Sequence, residues 1–386
     1  MSESVNGFSP MARTKVTLGY IARNILENEY KPTEKGLTRC IGLEHLDPGS
    51  LKICRWSQIT LEMSFTRRFY KGQILFGKRR AYQKKVALAD FDGICSSDIL
   101  VIEAKKENFV PELLPFIIQD DRFFEYAVGT SSGSLSPRTK WKYLADYEIW
   151  LPSIDEQRRS ATTLWAAEDC IVKGERFIAV VERAKQVLLK EIFEKTLKHV
   201  PKYWEQISLS KCIIERSVGS QSPHKKTKYV GLEHFESGHN HLLGYGDSQK
   251  FESNCSVFEK GDVLYGKLRP YLDKAVISDF DGICTTEVIV LNANEKTTNE
   301  FLIYLLHSKK FVEWTSHRSY GTKMPRTSID LIGRYIFSLP PLPEQLQIAA
   351  ILTRCDETIA AARANVAAAK ALKMKMINEM LGATTN

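Results

Sequence analysis

Arg67-Arg68-Phe69-Tyr70-Lys71 and Lys78-Arg79-Arg80-Ala81-Tyr82-Gln83-Lys84-Lys85 interleave cations with aromatic rings. A second pair of clusters, His224-Lys225-Lys226-Thr227-Lys228 and Lys267-Leu268-Arg269-Pro270-Tyr271, has the same make-up. Such side chains neutralise phosphates; arginine or lysine can also bond guanine, and Gln83 or Gln221 could read adenine. Two polar loops end in the same triplet. Gly133-Ser134-Leu135-Ser136 precedes Pro137-Arg138-Thr139, and Gly321-Thr322-Lys323-Met324 precedes Pro325-Arg326-Thr327. The chemistry on offer is recognition of a polyanion. Its candidate residues are Arg67, Arg68, Lys78, Arg79, Arg80, Tyr82, Lys84 and Arg138, then Lys225, Lys226, Lys228, Lys267, Arg269, Tyr271, Lys323 and Arg326. A solvated loop explains any single cluster. Recurrence at matched positions favours double-stranded DNA.

Catalytic chemistry finds less support. Asp98, Glu103 and Lys105 mimic the carboxylate-and-lysine set of a metal-dependent nuclease, which holds a cation that activates water. Their counterparts 189 residues on are Glu287, Asn292 and Asn294, and a strand ending in charges accounts for the pattern. His234, His239 and His241 suggest a metal site, but only His234 has a histidine counterpart, His45, and no cysteine is close. There is no G-x-x-x-x-G-K-[ST] phosphate loop, no C-x-x-C pair and no Pro-Pro-aromatic methyltransferase signature; Pro340-Pro341 is followed by Leu342. The expectation is a protein without a catalytic or metal site of its own.

These residues are placed by a duplication. Gly42-Leu43-Glu44-His45 recurs as Gly231-Leu232-Glu233-His234, and Asp90-Phe91-Asp92-Gly93-Ile94-Cys95 as Asp279-Phe280-Asp281-Gly282-Ile283-Cys284. Lys78 recurs as Lys267 and Tyr82 as Tyr271, all at offset 189, while the Pro-Arg-Thr triplet and Glu156-Gln157 recur at offset 188. Six identical residues in one run at a constant spacing mark a tandem repeat of roughly 190 residues, too long for a solenoid unit.

Each repeat opens with a mixed part. Short apolar runs, Gln73–Phe76 and Val263–Tyr265, follow Gly72 and Gly261. Val86–Ala89 and Ile99–Ile102 flank Asp92-Gly93, a hairpin-turn dipeptide, and Ala275–Ile277 and Val288–Leu291 flank Asp281-Gly282 likewise. Leu113–Asp120 and Glu300–Leu306 read as short helices. Each repeat closes with a proline-free helix, Glu156 to Leu197 and Glu344 to Leu381, roughly 60 Å long at 1.5 Å per residue. Steps of three and four pick out Leu164, Ala167, Ile171, Gly174, Ile178, Val181, Lys185, Leu188 and Ile192. The equivalents are Leu352, Cys355, Ile359, Ala362, Val366, Ala369, Lys373, Met376 and Met380. A seam sustained over nearly four heptads predicts a coiled coil, broken once in each helix by the matched Lys185 and Lys373. The organisation expected is α+β: residues 1–155 and 198–343 as globular domains, 156–197 and 344–386 as helices.

The chain has 386 residues and a formal charge of +8. Residues 1–155 carry 22 basic against 19 acidic side chains and 198–343 carry 19 against 16, so the excess lies mostly in the globular parts. Near-neutral helices suit helix pairing, and basic globular parts suit an anion. No apolar run approaches the ~18 residues of a membrane span, and Met1–Lys15 lacks the apolar core of a signal peptide, so a cytoplasmic protein with reduced cysteines is expected.

In order, duplication and helices, the chain resembles the DNA-specificity subunit of a Type I restriction–modification system. The resemblance rests on Tyr229-Val230-Gly231-Leu232-Glu233-His234, on Gly261 to Leu272, and on Leu339-Pro340-Pro341-Leu342-Pro343-Glu344-Gln345 before the long helix. The first repeat keeps Leu151-Pro152 and Glu156-Gln157 but loses the middle prolines. The resemblance implies two target-recognition domains, each reading half of a split site, on helices that pair antiparallel, act as spacer and dock two adenine-methyltransferase subunits. An endonuclease/translocase subunit would join them. S-adenosylmethionine, ATP and Mg would belong to the partners, and none to this chain. A stand-alone DNA-binding regulator and, more remotely, a self-sufficient nuclease are the other classes compatible with these residues.

Overall fold

The computed structural model describes residues 13–60, 62–105, 109–193, 201–220, 227–250, 253–321 and 323–382. The chain divides into two compact units. One comprises 1–176 with 362–386, the other 177–361. Each therefore holds one mixed α+β body, the first part of one long helix and the last part of the other. The helices run Ile154–Phe193 and Leu342–Leu381.

In the first unit, strands Ala22–Ile25, Ile99–Ala104, Ile74–Gly77 and Val86–Leu88 form an antiparallel sheet in that order. A second sheet orders Ser57–Gln58, Arg39–Ile41, Gly93–Cys95 and Arg67–Phe69, with Arg39–Ile41 parallel to Gly93–Cys95. The second unit repeats both. Ile213–Glu215, Val288–Ala293, Val263–Gly266 and Ala275–Ile277 make one sheet, and Lys228–Val230 runs parallel to Gly282–Thr285 in the other. Between the sheets, Ile41, Phe69, Leu75 and Val101 form one core, and Val230, Phe258, Leu264 and Val290 its counterpart.

The hairpin expected at Asp92-Gly93 does not form. Val86–Leu88 and Ile99–Ala104 flank Ile74–Gly77 instead, and Gly93 begins a strand of the other sheet. The dipeptide is needed for close approach. A Cβ on Gly93 would lie 2.6 Å from the Arg39 carbonyl, and one on Gly282 would lie 2.7 Å from the Lys228 carbonyl. The aspartates brace the neighbouring turn: Asp92 Oδ1 accepts from the Lys71 N–H at 2.9 Å and Asp281 Oδ1 from the Lys260 N–H at 2.7 Å.

Other repeated residues are scaffold too. His45 Nδ1 accepts from the Gly42 N–H and His234 Nδ1 from the Gly231 N–H, both at 2.9 Å. Buried Gln157 accepts from the Val110 N–H at 3.0 Å and donates to the Pro152 carbonyl at 3.0 Å. Gln345 donates to the Lys296 and Pro340 carbonyls at 2.9 and 2.8 Å. The glutamine of each Glu-Gln pair thus rivets the start of its long helix to the sheet body it follows.

Within each unit the helix segments run antiparallel. In the first, Leu164 shares a core with Ile377 and Met380, and a Cβ on Gly174 would lie 2.5 Å from Val366 Cγ2. In the second, Leu189 shares a core with Leu352. All eighteen predicted seam positions are buried or half-buried. The matched lysines each meet an acid of the facing helix. Lys373 Nζ lies 2.7 Å from Glu168 Oε2, with side chains only 4% and 7% exposed, and Lys185 pairs with Asp356. Glu168 and Asp356 are themselves 188 residues apart. Each acid is also held by its sheet body. The Leu51 N–H donates to Glu168 at 3.3 Å, and the Asn240 amide and Tyr304 hydroxyl donate to Asp356 at 3.0 and 2.9 Å.

Candidate nucleic-acid interface

At the end of strand Ile74–Gly77 the chain enters Lys78-Arg79-Arg80, makes a short 3-10 turn at Ala81–Gln83, and returns as Val86–Leu88. Residues on both sides of that turn adopt left-handed backbone, Arg80 at φ 54° and Lys84 at φ 51°. The second unit copies this at Arg269 (φ 52°) and Asp273 (φ 49°), around the turn Pro270–Leu272. These four are the non-glycine residues of positive φ among the described residues. Each such residue costs on the order of 1–3 kcal/mol. A cost retained in both repeats points to a used loop. The turns present Tyr82 and Tyr271, which are 56% and 53% exposed.

The Pro-Arg-Thr loop is laced onto this turn by matching backbone bonds. The Arg80 N–H donates to the Pro137 carbonyl at 2.8 Å and the Thr139 N–H to the Lys78 carbonyl at 3.0 Å. In the second unit the Arg269 N–H donates to the Pro325 carbonyl at 2.7 Å and the Thr327 N–H to the Lys267 carbonyl at 2.9 Å. Gly133 (φ 112°) and Gly321 (φ 95°) turn the loops, a backbone that a side chain would strain.

One carboxylate organises each cluster. Asp98 Oδ1 accepts from Arg138 Nε at 2.8 Å, and its Oδ2 accepts from Arg79 Nη1 at 3.4 Å. Burial tends to raise the Asp98 carboxyl, but Arg138 and then Arg79 outweigh it and hold its pKa below the ordinary value. Burial, and then the charges of Arg67 and Arg138, depress Lys78 against the opposing pull of Asp98. In the second unit Glu287 accepts from Arg326 Nε and Nη2 at 3.1 and 3.2 Å. Cations outnumber the acid in the first cluster; Arg67, Lys78, Arg79 and Arg80 are half-buried and Arg138 is exposed.

The structure brings Lys78, Arg79, Arg80, Tyr82 and Arg138 to one loop cluster, with Arg67 on a strand near Lys78, and Lys267, Arg269, Tyr271 and Arg326 to the other, with exposed Lys323 on the second loop. Three candidates are engaged otherwise or lie elsewhere in the sheets. Arg68 meets Glu29 at 3.3 Å and stacks on Tyr70 at 4.6 Å. Lys84 pairs with Asp121. Lys228 stacks on Phe280 and Tyr245 at 4.1 and 4.6 Å, as its counterpart Arg39 does on Phe91 and Trp56. Lys225, Lys226 and Gln221 lie outside the described residues. The nuclease-like trio is dispersed: Glu103 pairs with Arg23, Lys105 donates to the Gly19 carbonyl, and Asp98 is the clamp. Among the described residues no three His, Cys, Asp or Glu side chains are grouped to hold a metal ion, and no helix is long and apolar enough to cross a membrane. Sequence reading missed Asp98 and Glu287 as clamps. The signal was there, an acid at the same repeat position in both units.

Residues 214–368 match the family model of the Type I restriction modification DNA specificity domain. The EcoDI specificity subunit of Escherichia coli is 27% identical over 168 residues, covering 43% of this chain and 37% of that one. The MjaVIII specificity subunit of Methanocaldococcus jannaschii is 24% identical over 349 residues, covering 80% and 75%. The chain thus spans little more than a third of the first relative's length and three quarters of the second's. The S subunit of a Type I restriction-modification system from M. genitalium superposes over 100% of both chains with a TM-score of 0.69 at 13% identity. A chain from a study of type I R-M complex assembly and conformational transition gives 0.52 over 98% and 99%, at 21% identity. These structures speak for the fold: α+β bodies on two long helices. Over residues 214–368 the chain is thus similar to the Type I restriction modification DNA specificity domain, and the relatives it resembles are named specificity subunits of those systems.

Proposed function

We propose that the chain is the DNA-specificity subunit of a Type I restriction–modification complex, each unit reading one half of a bipartite duplex site. The observation that carries this is the duplicated loop cluster: left-handed arginine, exposed tyrosine and clamped Pro-Arg-Thr arginine, built twice on the same backbone. Arginine supplies phosphate neutralisation and base-edge donors, and tyrosine supplies a face for sugar or base. The paired helices set the gap between half-sites and dock two adenine-methyltransferase subunits. Base flipping and methyl transfer belong to those partners, which bring S-adenosylmethionine. The endonuclease/translocase brings ATP and Mg. This chain is non-catalytic and works in the cytoplasm.

The test is co-expression with an adenine-methyltransferase subunit of a Type I system from the same genome, followed by sequencing of methylated adenines. A split motif that disappears when this chain is omitted supports the reading. Methylation independent of the chain, or DNA cleavage by the purified chain with magnesium alone, contradicts it.

A further inference from the structure

The two loop clusters share a backbone but differ at several matched side chains: Gln83 against Leu272, Lys84 against Asp273, Leu135 against Lys323, and two pairs beside the Pro-Arg-Thr arginine. Arg79 and Leu268 occupy the same repeat position, and each bridges to the arginine of its Pro-Arg-Thr triplet. Ser136 and Met324 are the second matched pair, on the opposing loop. The two positions change character together, polar in the first unit and apolar in the second. Arg79 is also held in place. Its Nη1 donates to Asp98 at 3.4 Å and its Nη2 to Ser136 Oγ at 3.0 Å, so the guanidinium plane is fixed before any ligand arrives. Glu287 and Arg326 keep the clamp in the second unit without an arginine at position 268. The residues common to both loops, Lys78/Lys267, Arg80/Arg269, Tyr82/Tyr271 and Arg138/Arg326, cannot distinguish two different half-sites.

Resting on the reading above, we infer that Arg79 and Leu268 are letter-reading residues, supported by Ser136 and Met324, and that the shared residues bind the sugar-phosphate backbone. A pre-oriented arginine donates two bonds to guanine O6 and N7, whereas leucine and methionine meet the methyl group of thymine. The first half-site then contains a guanine at one position where the second presents a thymine.

The experiment is the methylated-adenine map of cells carrying this chain and its methyltransferase, wild type against variants. Arg79→Leu with Ser136→Met should abolish the guanine preference at one position of one half-site and leave every other letter and the gap unchanged. The expected loss of discrimination there is about 5- to 150-fold. Leu268→Arg with Met324→Ser should shift one position of the other half-site towards guanine. Arg79→Lys keeps the charge but loses the fork, so it should relax the same position while perturbing the fold least. Arg80→Gly, whose backbone tolerates positive φ, should lower methylation at all sites without changing a letter. Unchanged letters in both Arg79 variants at normal methylation, or changes spread over both half-sites, overturn the inference. A wild-type map with no split motif overturns the underlying function instead.

Discussion

Asp98 shows how a single residue can change meaning between sequence and structure. In the chain it resembles a nuclease carboxylate; in the fold it is the counter-ion that aims Arg79 and Arg138. Its depressed pKa carries a sign. A group whose folded pKa lies below its unfolded value stabilises the fold above the unfolded value, ~3.9, and loses that contribution as pH falls through the folded pKa. The side-chain carboxyl signal of Asp98 should therefore titrate below ~3.9 by NMR, and move up in Arg138→Gln. A midpoint at or above the ordinary value in the unaltered chain would mean that the clamp does not form in solution. The cations were legible from composition and recurrence. Their division into loop-borne and scaffold-bound was not, because Arg68 and Lys228 owe their roles to Glu29 and Phe280, partners brought near by strand pairing.

At the scale of elements, the long helices were legible from their seam, and the one irregularity in that seam proved informative. A lysine buried at a heptad position needs an acid, and Glu168 and Asp356 supply it. Removing one partner strands a buried charge at about 3–5 kcal/mol, while replacing both by apolar residues is close to neutral. Lys373→Met should accordingly lower the denaturation midpoint sharply, and adding Glu168→Leu should recover most of the loss. If the single variant is neutral, the pair is not buried in solution. Gly174 gives an independent check. Alanine ordinarily favours a helix by ~1 kcal/mol, but here its Cβ would press on Val366, whose branched side chain is stiff in a helix. Gly174→Ala should lower the melting temperature, and Val366→Ala should rescue it; a stabilised Gly174→Ala variant would show that the helices do not approach so closely. The failed hairpin at Asp92-Gly93 belongs to the same scale. The dipeptide signals that glycine is needed, but only the two-sheet topology says that the need is for close packing.

For the whole molecule, the repeat was the strongest signal in the sequence, and it reappears strand by strand in the two bodies. What the repeat could not disclose is that each long helix is divided between two compact units, since that follows from antiparallel pairing. The central claim is that two fixed readers are joined by a ruler of set length. Inserting one heptad after Gly174 and one before Val366 preserves the seam and lengthens the pair by ~10 Å, close to the rise of three base pairs. Mapping methylated adenines in cells carrying this variant and a methyltransferase subunit that the unaltered chain directs tests the claim directly. The account predicts the same two half-site sequences separated by a gap about three base pairs longer. Full methylation of the original site with its original gap would contradict it.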